Sequence, residues 1–307
     1  MVRPGLPAAR KRLYHGTPEK RTRPGTEPAA NFTGQGENGK MHHEIREKNG
    51  SITMNQAEQP IGVFDSGVGG ISALRTMVRM LPQEHFIYYG DTANAPYGTK
   101  KTEEVIACVR QVTDKLLERK IKALVIACNT ATGAAAYTLR RELTIPVIGM
   151  EPALKPASEI RKNGDILVLA TPLTLHQEKF NLLMEKYGEG ALRVPCTGLM
   201  ELVEQEDWKG AKAYLKEVFA LYDLRKVDAV VLGCTHYVFL KDMIRRMLPE
   251  HVAITEGSDG TARQLRRVLA RNHLLNAEGK GRVELESSGL PEDLEKMRRL
   301  LDISNPE

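Results

Sequence analysis

The chain has 307 residues, enough for two domains of ordinary size, and its 41% hydrophobic and 27% charged residues are those of a soluble globular protein. No run approaches the roughly 18 apolar residues of a transmembrane helix, so no membrane is expected as a partner. The net charge of +5 is concentrated at one end: residues 1–60 carry 10 Lys and Arg against 6 Glu, which leaves the rest close to neutral and gives no electrostatic case for nucleic acid.

Residues 1–58 read as a disordered leader, since the first 60 positions hold six of the 16 prolines and seven of the 26 glycines with almost no aliphatic clustering. No apolar core follows the basic residues, so this is not a signal peptide. A start of translation at Met41 or Met54, or an appended segment, competes with a working tail. Ile61 to Phe64 predicts a strand that runs into the loop Asp65-Ser66-Gly67-Val68-Gly69-Gly70. A helix follows, with Ile71, Leu74, Val78 and Leu81 at helical spacing, stopped before Pro82. Phe86 to Tyr89 predicts a second strand, leading through Gly90-Asp91 to the loop Asn94-Ala95-Pro96-Tyr97-Gly98. An amphipathic helix over about Lys101 to Lys120 shows Val105, Val109, Val112, Leu116 and Leu117 on one face.

Ala123 to Ala127 is a continuous apolar run, as in a strand buried on both faces of a parallel sheet, and it ends at Cys128. Asn129 and Thr130 are helix-start residues, with an Ala-rich helix expected beyond them. Pro146 to Gly149 predicts a short strand, and Glu151-Pro152 a crossing to a second domain. There the pattern recurs: a strand over Asp165 to Leu169 ending near Thr171, a helix through Leu175 to Tyr187, and a strand near Leu192 to Pro195. Helices over Gly198 to Glu204 and Ala211 to Tyr222 precede the apolar run to Leu232, which ends at Cys234-Thr235-His236. A helix to Met247, a strand at Val252 to Thr255 and a helix over Gly260 to Arg271 complete the reading. Cys128 lies 63 positions after Asp65, and Cys234 lies 63 after Thr171. The fold class expected is α/β, with two pseudo-symmetric, doubly wound parallel-sheet domains and the active site at their interface. Residues 59–151 and 256–307 would form the first domain, and 152–255 the second.

The four cysteines (Cys108, Cys128, Cys196, Cys234) form no CxxC pair, which disfavours both a zinc site and a disulfide framework and places the chain in reducing cytoplasm. Cys108, inside an amphipathic helix, and Cys196, after a strand, suit core positions. Cys128 and Cys234 fall at strand ends beside helix starts, where a thiol is drawn toward thiolate. The glycine loop fails the dinucleotide pattern, because Ser72 stands at the third glycine position, and it lacks the Lys of a P-loop. Two thiols across a cleft suit one reaction without a metal: one removes a proton from carbon and the other returns one to the opposite face. Ser66, Asn129, Thr130, Thr171 and Thr235, with backbone N–H groups at helix starts, would hold a small carboxylate-bearing substrate between them, and His236 is a credible proton partner for Cys234.

The motifs DSGVGG (65–70), APYG (95–98), CNTAT (128–132) and GCTHY (233–237), in that order, resemble those of the cofactor-independent glutamate racemases of the aspartate/glutamate racemase superfamily from Ile61 to about Asp302. The resemblance implies glutamate bound at the domain interface, with no metal and no organic cofactor. It implies Cys128 as the base toward D-glutamate and Cys234 as the base toward L-glutamate, assisted by Asp65, Glu204 and His236. Asp91, Pro96, Tyr97 and Gly98 match the loop that closes on substrate. Asn94 departs from the family, which often has Arg in that stretch and a salt bridge anchoring the loop. A cytoplasmic homodimer that supplies D-glutamate for peptidoglycan is the expectation. The alternatives are an isomerase acting on another small acid such as aspartate, and a regulatory binding protein that uses the basic leader.

Overall fold

The computed structural model describes residues 56–302, so the leader reading for residues 1–55 lies outside them. Gln56–Glu58, the last residues of the expected leader, form a single 3-10 turn. The reason is a buried ion pair. Lys122, fully buried, reaches Glu84 and donates to the Ala57 carbonyl, while its own N–H bonds the Pro60 carbonyl at 2.8 Å. Glu84 also accepts from the Asn276 N–H at 3.0 Å.

In chain order the elements are β1 (Ile61–Asp65), α1 (Ile71–Met80), β2 (His85–Gly90), α2 (Thr102–Glu118), β3 (Ala123–Ile126), α3 (Asn129–Glu142), β4 (Val147–Gly149) and α4 (Leu154–Ile160). They continue as β5 (Asp165–Ala170), α5 (Pro172–His176), α6 (Glu178–Tyr187), β6 (Ala191–Pro195), α7 (Leu199–Glu204), α8 (Trp208–Phe219) and β7 (Val227–Leu232). The last are α9 (Lys241–Arg245), β8 (Ala253–Glu256), α10 (Ser258–Arg271), β9 (Arg282–Ser287) and α11 (Pro291–Asp302). Among the described residues no helix is long and apolar enough to cross a membrane.

The strands form two all-parallel sheets, ordered β4-β3-β1-β2-β9 and β6-β5-β7-β8. In each, the first strand is followed by a neighbour on one side and then by a strand on the other, so the chain reverses direction across the sheet between β1 and β3 and again between β5 and β7. Ligand-binding crevices open at such switch points, outside the carboxyl ends of the strands. Residues of alternate parity face opposite layers, as strand geometry demands. Val63, Tyr88 and Val125 pack with α1 and α10, while Phe64, Ile87 and Leu124 pack with α2 and α3. In the second sheet Leu167, Leu169 and Val230 face α7 and α8, whereas Val168, Ala170 and Val231 face α4 and α6. The inner strands β1, β3, β5 and β7 are thus covered on both sides, which is why they read as apolar runs.

Several elements differ from the sequence expectation. The helix expected over 175–187 is two helices broken at Gln177, whose extended backbone frees its side chain to bond the Thr130 carbonyl at 2.9 Å. The helix expected after Cys234 is a 3-10 turn, Thr235–Leu240, before the short α9. Helix α4 carries Pro156 in its first turn, where proline is tolerated but hides the pattern. β9 and α11 were not anticipated. β9 is a half-buried edge strand whose Arg282, Glu284 and Glu286 alternate with Val283 and Leu285. α11 buries only Met297 and Leu300. Of the two cysteines assigned to the core, Cys196 is buried and Cys108 is half-buried on α2.

Candidate active site

The two switch points face each other. Asp65 ends β1, and Cys128 caps α3 just beyond β3, its Sγ accepting from the Ala131 N–H at 3.4 Å. Cys234 follows β7, and Thr171, at the end of β5, caps α5 by accepting from the Thr174 N–H at 3.3 Å. A small cavity of about 10 Å³, room for roughly one water, lies between these ends, and both thiols, Ser66, Asn129, Thr130 and His236 line it. Gly98, Thr171 and Thr235 also reach it. Cys128 is 6% and Cys234 8% exposed, so both thiols are buried.

Hydrogen bonds tie the two sheets together around this space. Thr235 Oγ1 donates to Asp65 Oδ2 at 3.0 Å, while Asp65 Oδ1 accepts from the Gly67 N–H at 2.9 Å. Thr130 Oγ1 lies 3.1 Å from Thr171 Oγ1 and 2.9 Å from Thr174 Oγ1. Cys128 Sγ sits 3.6 Å from Ser66 Oγ. On the other wall, His236 Nδ1 is 3.8 Å from Cys234 Sγ, and His236 Nε2 is 2.6 Å from Glu204 Oε1. Glu204 also accepts from the Val68 N–H at 3.2 Å. The glycine-rich loop owes its composition to this approach. A side chain at Gly67 would collide with Glu204, and one at Gly69 with His236 and Thr235.

Not every anticipated residue lines the cavity. Asp65 stands behind Ser66 and Thr235, and Glu204 behind His236. Tyr97 points away to Asp91, its hydroxyl donating to Oδ2 at 2.6 Å, and Pro96 borders neighbouring depressions. Asn94 takes the place of the expected salt bridge, its amide donating to both Asp91 oxygens at 3.0 and 3.1 Å. The loop is anchored without an arginine. Met200 and Gly233 line the cavity and were missed as individuals, although Gly233 opens the GCTHY motif and Met200 lies in the helix expected over Gly198 to Glu204. Among the described residues three buried side-chain polar atoms have no partner, Thr113 Oγ1, Ser258 Oγ and Asn129 Oδ1, and of these Asn129 belongs to the cavity lining.

A family profile described as Asp/Glu/hydantoin racemase matches residues 61–265. The chain belongs to the aspartate/glutamate racemase family. It is 47% identical over 242 residues to a glutamate racemase of Clostridium botulinum, covering 77% of this chain and 94% of that one. It is also similar to the crystal structure of glutamate racemase from Thermus thermophilus in complex with beta-chloro-D-alanine, with a TM-score of 0.70, 36% identity and coverage of 80% and 94% of the two chains. The Escherichia coli glutamate racemase in complex with L-glutamate and the activator UDP-MurNAc-Ala matches with a TM-score of 0.70 and 28% identity, covering 79% and 95%.

The two thiols of this family member sit in unlike electrostatic surroundings. Burial and then the Asp65 charge push Cys128 up to about 12, against the Ala131 N–H and the Ser66 hydroxyl. Asp65 is itself raised by burial, partly offset by His236, Gly67 and Thr235. Burial works against charge on His236, but Cys234 and Glu204 outweigh it and hold the imidazole well above its ordinary value. Burial likewise opposes the Glu204 carboxylate, yet His236, the Val68 N–H and Lys296 together bring it down to about 2. Cys128 thus has an acid beside it, whereas Cys234 has an imidazolium backed by a carboxylate.

Proposed function

We propose that the protein interconverts L- and D-glutamate by a two-base mechanism, with domains at residues 59–151 plus 256 onward and at 152–255. The observation that carries this reading is the pair of buried strand-end cysteines lining one cavity. In the L-to-D direction the Cys234 thiolate takes the α-proton, the electron pair is left on Cα and delocalised into the carboxylate, and the Cys128 thiol protonates the opposite face. The product is D-glutamate with Cys234 as thiol and Cys128 as thiolate, and the reverse direction exchanges the roles. His236 exchanges a proton with Cys234 as that thiol changes state.

Substrate recognition rests on the leftover acceptor and the hydroxyls. Asn129 Oδ1 accepts from the α-ammonium, which also stabilises a thiolate beside it. Ser66, Thr130, Thr171 and Thr235, with the first N–H groups of α3, bind carboxylate and stabilise the charge that develops on it. The ionisation cost is large: with the thiol near 12, forming the Cys128 thiolate at about pH 8 costs roughly 5 kcal/mol. Exclusion of water and the substrate's own ammonium must offset it. Glutamate enters when the sheets part, breaking the Thr235–Asp65, Gln177–Thr130 and Glu204–Val68 bonds. The protein acts in the cytoplasm as a homodimer and provides D-glutamate for peptidoglycan.

The test is incubation of purified protein with L-glutamate in deuterated water. Loss of optical rotation accompanied by loss of the α-proton signal is expected. Retention of both, or turnover of aspartate in preference to glutamate, refutes the assignment.

A further inference from the structure

Lys296 lies on α11, a helix the sequence did not announce, and its side chain is 12% exposed. It crosses from the first domain to α7 of the second, where it donates to the Glu204 main-chain carbonyl and lies 3.5 Å from Oε2. The two oxygens of Glu204 are therefore held for different purposes. Oε1 faces His236 and Val68, and Oε2 faces Lys296. With Oε1 against His236 and Val68 and Oε2 against Lys296, which the main-chain carbonyl anchors in place, the carboxylate is held from swinging out toward the solvent-open depression that Glu204, Glu201, Pro96 and Asp293 border.

We propose that Lys296 is a positioning residue for racemisation, fixing the rotation of Glu204 so that His236 stays aligned on Cys234. The proposal rests on the function proposed above. The chain of contacts is continuous: Lys296 to Glu204, Glu204 to His236 at 2.6 Å, and His236 to Cys234 at 3.8 Å. The charges facing this chain are Asp65 from the end of β1, Glu201 on α7, Asp293 on α11, and Glu206 paired with Arg299 at 3.6 Å. Lys296 is the cation that touches Glu204 from outside the cavity. If it served as charge alone, its removal would raise the affinity of both Glu204 and His236 for protons. A positioning role gives the opposite sign at the histidine, because a released carboxylate rotates away and the imidazole loses the partner that keeps it charged.

The experiment compares wild type with Lys296→Met, Lys296→Gln and Lys296→Arg. It reads kcat and KM for glutamate in both directions across pH, and the His236 ring titration by proton–nitrogen NMR. The equilibrium constant between enantiomers is one, so kcat/KM must remain equal in the two directions. A defect on the Cys234 side therefore appears as a split, with kcat and KM for L-glutamate falling together. For Lys296→Met and Lys296→Gln the L-to-D kcat should fall about tenfold, more than the D-to-L value, and the His236 midpoint should move down. Arginine, which keeps the charge and the donors, should restore most of both. Equal small losses in the two directions, or a His236 midpoint that is unchanged or higher, overturns the proposal. If wild type does not racemise glutamate, the function proposed above fails, while the His236 titration still decides the role of Lys296.

Discussion

Replacing Glu204 by Gln keeps the shape of the side chain and removes its charge. The carboxyl stands at about 2 rather than its ordinary 4.5, which corresponds to roughly 3 kcal/mol in favour of the ionised form. Glutamine can still accept from His236 and Val68, so about 2 kcal/mol of destabilisation is expected. The pH dependence follows from both partners. A depressed carboxyl stabilises the fold above its unfolded value of 4.5, and that contribution is lost as pH falls through about 2. A raised imidazole stabilises fully below 6.5, and its contribution fades as pH rises toward its folded value. Both describe one buried pair, so they are counted once. The gap between wild type and Glu204→Gln should be widest at roughly pH 4.5–6.5, smaller by about 1 kcal/mol near pH 7.5, and absent near pH 2. Urea midpoints at fixed slope, measured at about pH 3, 5.5 and 7.5, check this. A gap equal at the two lower values, or one that widens from the middle to the highest, refutes the pairing argument.

Cys128→Ser and Cys234→Ser should each lower racemisation by several orders of magnitude in both directions, because a hydroxyl is a far weaker acid than a thiol and its alkoxide is not accessible; near-normal turnover in either mutant sinks the two-base assignment. Asp65→Asn should lower the Cys128 pKa from about 12, since the Asp65 charge contributes to that value, and make Cys128 alkylate faster at fixed pH; an unchanged iodoacetamide rate would contradict this. Lys122→Met leaves Glu84 buried and unpaired and should cost about 3–5 kcal/mol in urea unfolding with little effect on turnover per folded molecule. A loss below about 1 kcal/mol would mean that the pair is not buried as described.

What the sequence determined by itself was the part of the fold written in local pattern. Strands covered on both faces show as apolar runs, and each run that mattered ended on a residue of distinct chemistry: Asp65, Cys128, Thr171 or Cys234. The repeated spacing of 63 positions between them marked two copies of one plan. Tertiary structure alone decided what depends on partners distant in the chain. Asn94 reads as a missing arginine, and only its contact with Asp91 shows that the loop is anchored another way. The glycines of the Asp65 loop fail the phosphate-binding patterns in the sequence already, but only the structure shows what they are for: His236 and Glu204 occupy the space a side chain there would need. Edge strand β9 and helix α11 carry too few buried residues to mark themselves, because one is half-exposed and the other buries only two side chains. For the same reason Lys296 was invisible: a lysine on a polar helix acquires its role from the carboxylate it meets 92 positions away in sequence, and no local pattern encodes that distance.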